Sequence, residues 1–269
     1  NETYTYSLVS KKHIELLGYD PEKTFKIINP ISSDYEYLRP TMFGNLLDSF
    51  KVNQANFSKF KIYEFGKRFL GQSVQKAEEE YLIWAALANS DFYQAKGDLE
   101  LFLDQLGALY KLRPVTKEDN HYWMHPSRTA QIETLRGEYL GVIGEVHPTL
   151  IAKWGIKEKV LVWGLSIDLL KKNLNQNNIY QPISKYPGVV EDISLIIPEN
   201  VLYQDVVDTI KSVSKLVASV ELIDIHDNSK LLRVTYLDKN ANLTSETVNK
   251  VRSTILSELK SKFKVSLKS

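Results

Sequence analysis

The chain has 269 residues with a net charge of +1, 43% hydrophobic and 25% charged residues, and no cysteine. That length holds one large domain or two ordinary ones, and the near-zero charge means that any basic surface must be local. The absence of cysteine excludes disulfides, thiolate metal sites and a cysteine nucleophile, and fits a reducing compartment.

The longest apolar run, Tyr81–Ala88, is far too short to span a bilayer. The start shows no charged-then-apolar signal pattern. The expected location is cytoplasmic, with no membrane partner. With no initiator methionine and an opening directly on Thr3-Tyr4-Thr5-Tyr6-Ser7, the chain reads as a piece of something longer.

In chain order, alternation predicts a strand over Glu2–Val9, then a short helix over Ser10–Tyr19 ended by Gly18. A short strand, Phe25–Ile28, stops at Asn29-Pro30. Pro40 suits the first turn of a helix that carries Phe43, Leu46, Leu47, Phe50 and Val52 on one stripe. Strands follow at Phe60–Phe65, extended to Phe69, and at Tyr81–Ala88, and Asp91–Tyr110 has helical spacing throughout. Thr129–Leu135 and Glu138–Val146 form a hairpin about Arg136-Gly137, with Gly137 supplying the positive φ of the turn. Gly141 and Gly144 inside its second strand imply a close backbone approach. Pro148–Gly155 is a short helix, Val160–Ile167 a strand and Asp168–Leu174 a last helix.

The polar run Asn173–Gln181 marks a break. Beyond it come a strand at Asp192–Ile197, a helix at Leu202–Leu216 and strands at Val217–His226 and Ser229–Leu237. A helix at Thr244–Phe263 and a closing strand at Val265–Leu267 complete the unit. The order β-α-β-β-α-β is the ferredoxin-like pattern.

Catalytic signatures are missing. His121, His125 and His147 lie near one hairpin but lack the i, i+4 helical spacing of a zinc site, so we expect no metal. There is no phosphate loop, and Arg39 and Arg128, which could hold a phosphate, lack the company they would need. Arg39 is equally a helix-start salt bridge, and Glu78-Glu79-Glu80 reads as a solvated charge run. No nucleophile has a base at defined spacing. The one local field is at the end, where Lys250, Arg252, Lys260, Lys262, Lys264 and Lys268 face Glu258 alone. Such a run is either solvated surface or a surface for a phosphate backbone.

One set of short motifs, in this order and spacing, is specific. It runs Thr5-Tyr6-Ser7-Leu8-Val9, Asn29-Pro30-Ile31-Ser32, Leu38-Arg39-Pro40, Tyr63-Glu64-Phe65-Gly66, Lys96-Gly97-Asp98, His125-Pro126-Ser127-Arg128-Thr129-Ala130 and Gly144-Glu145-Val146-His147-Pro148. It continues with Ile183-Ser184-Lys185-Tyr186-Pro187, Glu191-Asp192-Ile193-Ser194 and Leu243-Thr244. Over essentially its whole length the chain resembles the C-terminal part of the β subunit of bacterial phenylalanyl-tRNA synthetases.

The resemblance implies an α+β fold in two parts. Residues 1–173 are expected to be a class II synthetase-core-like module with an antiparallel sheet and no catalysis, 174–179 a linker, and 180–269 a ferredoxin-fold anticodon-binding domain. It implies a catalytic α subunit as partner in an α2β2 tetramer, tRNA-Phe as the RNA, and ATP and magnesium used by the holoenzyme rather than by this part. The family's Phe-Asp-x-Tyr resembles Ile223-Asp224-Ile225-His226, its following serine matches Ser229, and its C-terminal arginine aligns with Lys268. Asp224, His226, Ser229 and Lys268 are therefore the candidate tRNA-binding residues. His226 can still stack on a base, whereas Lys268 keeps the charge but loses the bidentate fork. The Asp227-Asn228 loop is shorter than the family's, and turn capping is the competing role for Asp224 and Ser229. A protein-interaction scaffold without RNA binding, and an active single-chain synthetase, are the rival expectations.

Overall fold

The structure, a computed structural model, describes residues 1–71, 77–119, 121–174, 184–226 and 229–268. Contacts divide the chain into two compact units, Asn1–Asn178 and Ile179–Ser269. Of the stretch read as a linker only Leu174 is described, and it bridges to Ala108. The rest of that stretch, Ile183 and the Asp227-Asn228 loop lie outside the described residues.

The first unit runs β1 (Leu8–Val9), α1 (Lys11–Leu16), β2 (Tyr37–Leu38), α2 (Phe43–Asn53), β3 (Lys61–Leu70), β4 (Glu78–Ala88), α3 (Phe92–Gln105), β5 (Tyr110–Pro114) and β6 (Met124–Thr134). It ends with β7 (Tyr139–Val146), α4 (Pro148–Trp154), β8 (Val160–Ser166) and α5 (Ile167–Lys172). Six strands form one sheet in the order β3-β4-β8-β7-β6-β5, every pair antiparallel.

The period of two along β4 explains the layers. Leu82, Trp84, Ala86 and Ala88 enter a core with Phe43, Leu46, Leu47 and Phe50 of α2 and Trp154 of α4. Ile83, Ala85 and Leu87 enter a second core with Ala95, Leu99 and Leu103 of α3 and Leu170 of α5. A central strand covered on both faces is apolar at nearly every position, and β8 is buried along its whole length. At Gly137 φ is +87°, as the hairpin turn requires. A Cβ on Gly141 would fall on the Gly164 carbonyl oxygen of β8, and one on Gly144 would press on the Arg128 carbonyl of β6, so both glycines answer a close backbone approach.

Several local expectations give way to tertiary structure. The strand over Glu2–Val9 shrinks to Leu8–Val9, while Glu2 and Thr3 lie along the edge of β3. Phe25–Ile28 retains a single bridge, from Lys26 to Tyr37. Pro40 precedes α2 rather than opening it, and Val52 lies on its outer side. The helix expected to reach Tyr110 stops at Gln105, since Gly107 takes φ +67°, and Tyr110–Pro114 becomes the edge strand β5. Glu78, Glu79 and Glu80 belong to β4, where Glu79 pairs with Lys67 and Glu80 with Arg68 across the ladder. β6 begins at Met124 and carries Pro126 through a register shift between Met124 and Thr129, the kind of irregularity that tolerates a proline.

The second unit contains β9 (Val189–Ile196), α6 (Tyr203–Val213), β10 (Val217–His226), β11 (Ser229–Tyr236), α7 (Ser245–Phe263) and β12 (Ser266–Leu267). Its four strands lie in the order β10-β11-β9-β12, all antiparallel. Ile193, Leu195, Leu232, Val234 and Tyr236 pack on Val206 and Ile210 of α6 and on Val248, Ile255 and Leu259 of α7. Both helices therefore cover one face of this sheet.

Candidate nucleic-acid interface

Residues that alternate with that core point to the sheet's other face. On β11 these are Ser229, Leu231 and Arg233, and on β9 they are Asp192, Ser194 and Ile196. A register shift between Leu222 and Asp224 makes Ile223 the extra residue on β10. That bulge brings Asp224 opposite Leu231 and His226 opposite Ser229, on the uncovered face.

Three of the four candidate residues meet at one corner. Lys268 Nζ donates to Ser229 Oγ at 3.1 Å, and Ser229 Oγ donates to the His226 carbonyl at 2.8 Å. The Lys268 backbone N–H donates to the Ser194 carbonyl at 3.0 Å, which extends β12 by one residue and aims the lysine across the face. Asp224 stands two residues before His226 on the same strand, and its Oδ1 accepts from the Ile225 N–H at 2.8 Å. Asp224, His226 and Lys268 are exposed, while Ser229 is buried beneath the lysine. The capping role weighed for Ser229 is present in its bond to the His226 carbonyl, whereas the Asp224 bond to Ile225 lies within β10 and caps no turn; each residue still faces the open side.

Sequence reasoning missed the rest of this surface. Leu231 lies between Asp224 and Ser194 on adjacent strands, and Ile196 lies between Ser229 and Ser266. The two make an apolar floor flanked by a carboxylate, hydroxyls and an ammonium group. The alternation of β11 could have shown Leu231 as its one outward aliphatic residue. Further along, Arg233 Nε and Nη2 each donate to an oxygen of Asp192 at 2.8 Å. That fork holds the Asp192 carboxyl below the ordinary carboxylate range and pushes Arg233 above its own.

The C-terminal basic run divides. Lys250 pairs with Glu246 at 2.7 Å, Lys262 with Glu258 at 3.2 Å and Arg252 with Glu191 at 3.9 Å, all from α7 on the covered side. Of the run, Lys268 reaches the open corner.

In the first unit the two phosphate candidates are occupied. Arg39 is buried, with Nη1 2.8 Å from Glu64 and Thr5 and Nε donating to the Lys67 carbonyl at 2.9 Å. It therefore locks β3 to the preceding segment and makes no helix-start salt bridge. Arg128 pairs with Glu145 at 2.9 Å. No cluster of three metal-ligating side chains occurs among the described residues, and no helix there is long and apolar enough to cross a membrane.

The comparisons agree with this division. Residues 1–167 match the model of the phenylalanyl tRNA synthetase beta chain CLM domain, and residues 184–268 match that of the ferredoxin-fold anticodon binding domain. A phenylalanine–tRNA ligase beta subunit of Clostridium tetani is 28% identical over 96% of this chain and 34% of its own length. One of Staphylococcus epidermidis is 30% identical over 97% of this chain and 35% of its own length. A solved pyrrolysyl tRNA synthetase of Desulfitobacterium hafniense superposes with a TM-score of 0.49 at 16% identity, over 64% of this chain and 59% of that one, too loosely to extend the assignment. The chain spans about a third of the length of the curated relatives it matches. With the first family model covering more than half of the chain, it belongs to the phenylalanyl-tRNA synthetase beta chain family.

Proposed function

We propose that this chain is the tRNA-recognising, non-catalytic part of a phenylalanine–tRNA ligase, and that the open corner formed by Asp224, His226, Ser229 and Lys268 receives the anticodon of tRNA-Phe. The observation that carries this reading is the corner itself: a carboxylate, an imidazole and an ammonium group around an apolar floor, on the face that α6 and α7 leave uncovered. The aspartate accepts from base N–H groups, the histidine stacks, and the lysine attracts phosphate.

Attachment of phenylalanine, with ATP and magnesium, falls to an α subunit in an α2β2 assembly. The engagement of both Arg39 and Arg128 supports placing the nucleotide on that partner. The first unit offers apolar surface for docking: Tyr4, Tyr6 and Tyr35 line one cavity, and Ile28 and Ile31 are 94% and 99% exposed. The whole assembly acts in the cytoplasm.

The test is a titration with tRNA-Phe and an anticodon-swapped tRNA at two salt concentrations, alone and with the α subunit. Tighter binding of the native anticodon, weakened by Asp224→Ala or Lys268→Ala, is the expected result. Equal and steeply salt-dependent binding of both RNAs would reduce the corner to backbone attraction. No binding in either setting would leave a scaffold without RNA.

A further inference from the structure

The histidines that bracket the hairpin belong to the first unit, whereas the proposed RNA corner belongs to the second. His125 and His147 line one cavity of about 570 Å³ together with His121, Val115, Tyr122 and Met124, and its wall is mostly apolar. Volumes of this order hold small molecules.

The same device orients both rings. The Ser127 N–H donates to His125 Nδ1 at 3.2 Å, and the Thr149 N–H donates to His147 Nδ1 at 3.2 Å, where the imidazole caps α4. A ring nitrogen that accepts carries no proton, so each neutral imidazole bears its proton on Nε2. Neither Nε2 has a hydrogen-bond partner among the described residues. A metal would need the Nε2 lone pair, which this tautomer does not offer. Both rings are half-buried at a mostly apolar cavity, so their two N–H donors are left for water or for a bound acceptor. Two of the acids beside these loops are engaged elsewhere, Glu145 with Arg128 at 2.9 Å and Asp119 with Arg113 at 2.7 Å.

We propose that this cavity binds a small carboxylate carried on an apolar or aromatic body. Its oxygens accept from Nε2–H of His125 and His147, and its body lies against Val115, Tyr122 and Met124. Lys117, also in the lining, adds a positive charge. Among the described residues the lining holds no carboxylate to act as counter-ion for an α-ammonium group. The site therefore selects a plain acid over the matching amino acid.

Calorimetry on the 269-residue chain with 3-phenylpropionate, 3-phenylpropanol and phenylalanine tests this. The acid should bind about tenfold more tightly than the alcohol or the amino acid, the scale of a hydrogen bond to a charged group. His125→Asn with His147→Asn keeps an acceptor for the two capping N–H groups and removes both Nε2 donors. That double variant should keep its unfolding temperature and bind the acid about tenfold more weakly. Equal binding of acid and alcohol, a comparison that needs no variant, would overturn the proposal. So would unchanged affinity in the folded double variant, or no binding of the acid.

Discussion

The two sheets of this molecule are built from the same strand chemistry and put to opposite uses. The six-stranded sheet has helices on both faces, and seven consecutive residues of β8 are buried. The four-stranded sheet has α6 and α7 on one face, and along β11 the buried Leu232, Val234 and Tyr236 alternate with Leu231, Arg233 and Thr235. A sheet covered twice is a scaffold, and its polar groups must be satisfied within it. One covered once leaves a face where Asp224, His226 and Lys268 can meet a ligand. The same substitution should therefore cost stability in the first sheet and function in the second.

The hardest break of that contrast is in the scaffold. Glu64→Ala strands the buried Arg39 guanidinium, whose ion-pair side chains are each 3% exposed. Removing one partner of a buried pair costs about 3–5 kcal/mol, and urea denaturation of the chain should show a loss of that order. Glu64→Gln, which keeps an acceptor for Arg39 and Thr5, should lose less. Gly141→Ala comes next. Its Cβ meets backbone of β8 rather than a flexible side chain, so the sheet itself must shift, at a cost of about 1–3 kcal/mol. A loss indistinguishable from zero for either variant would mean that this sheet relaxes as freely as the open one.

Much of this was legible because period and composition speak directly to layers. The order β-α-β-β-α-β, the hairpin about Gly137 and the close-approach glycines all follow from local rules. What was not legible depended on distant partners. Tyr110–Pro114 is an edge strand because Ala130–Thr134 waits beside it, and nothing in Tyr-Lys-Leu-Arg-Pro declares this. Arg39 looked like a helix-start residue until β3 brought Glu64 beneath it. At the candidate interface the resemblance supplied four positions, and the structure added Leu231, Ser194 and Ile196 between them through pairing register alone. The basic run was misleading in the opposite way: a count of charges ignores that α7 faces away from the open side.

The smallest expected effect sharpens the contrast most. Arg233 and Asp192 form the same kind of pair as Arg39 and Glu64, with N–O distances of 2.8 Å in both, but on the open face, where the side chains are 43% and 39% exposed. Surface pairs of this kind contribute little because solvent screens them and two side chains must be held still. Arg233→Met should therefore leave the unfolding midpoint at pH 7 unchanged within error. The pair is visible in titration instead. Arg233 lowers the folded-state pKa of Asp192, so its contribution is fully present above the ordinary carboxylate pKa near 3.9. It is lost as the pH falls through the lowered folded value. Carboxyl-detected NMR should place the Asp192 midpoint below that of an ordinary aspartate, and Arg233→Met should return it there. The released carboxylate also leaves an unpaired negative charge on the open face, so the variant should bind tRNA-Phe a few-fold more weakly at low salt, with the difference fading as salt rises. A variant that unfolds like Glu64→Ala would show instead that the second sheet depends on its open face for stability, and would remove the ground for reading that face as a surface kept free for RNA.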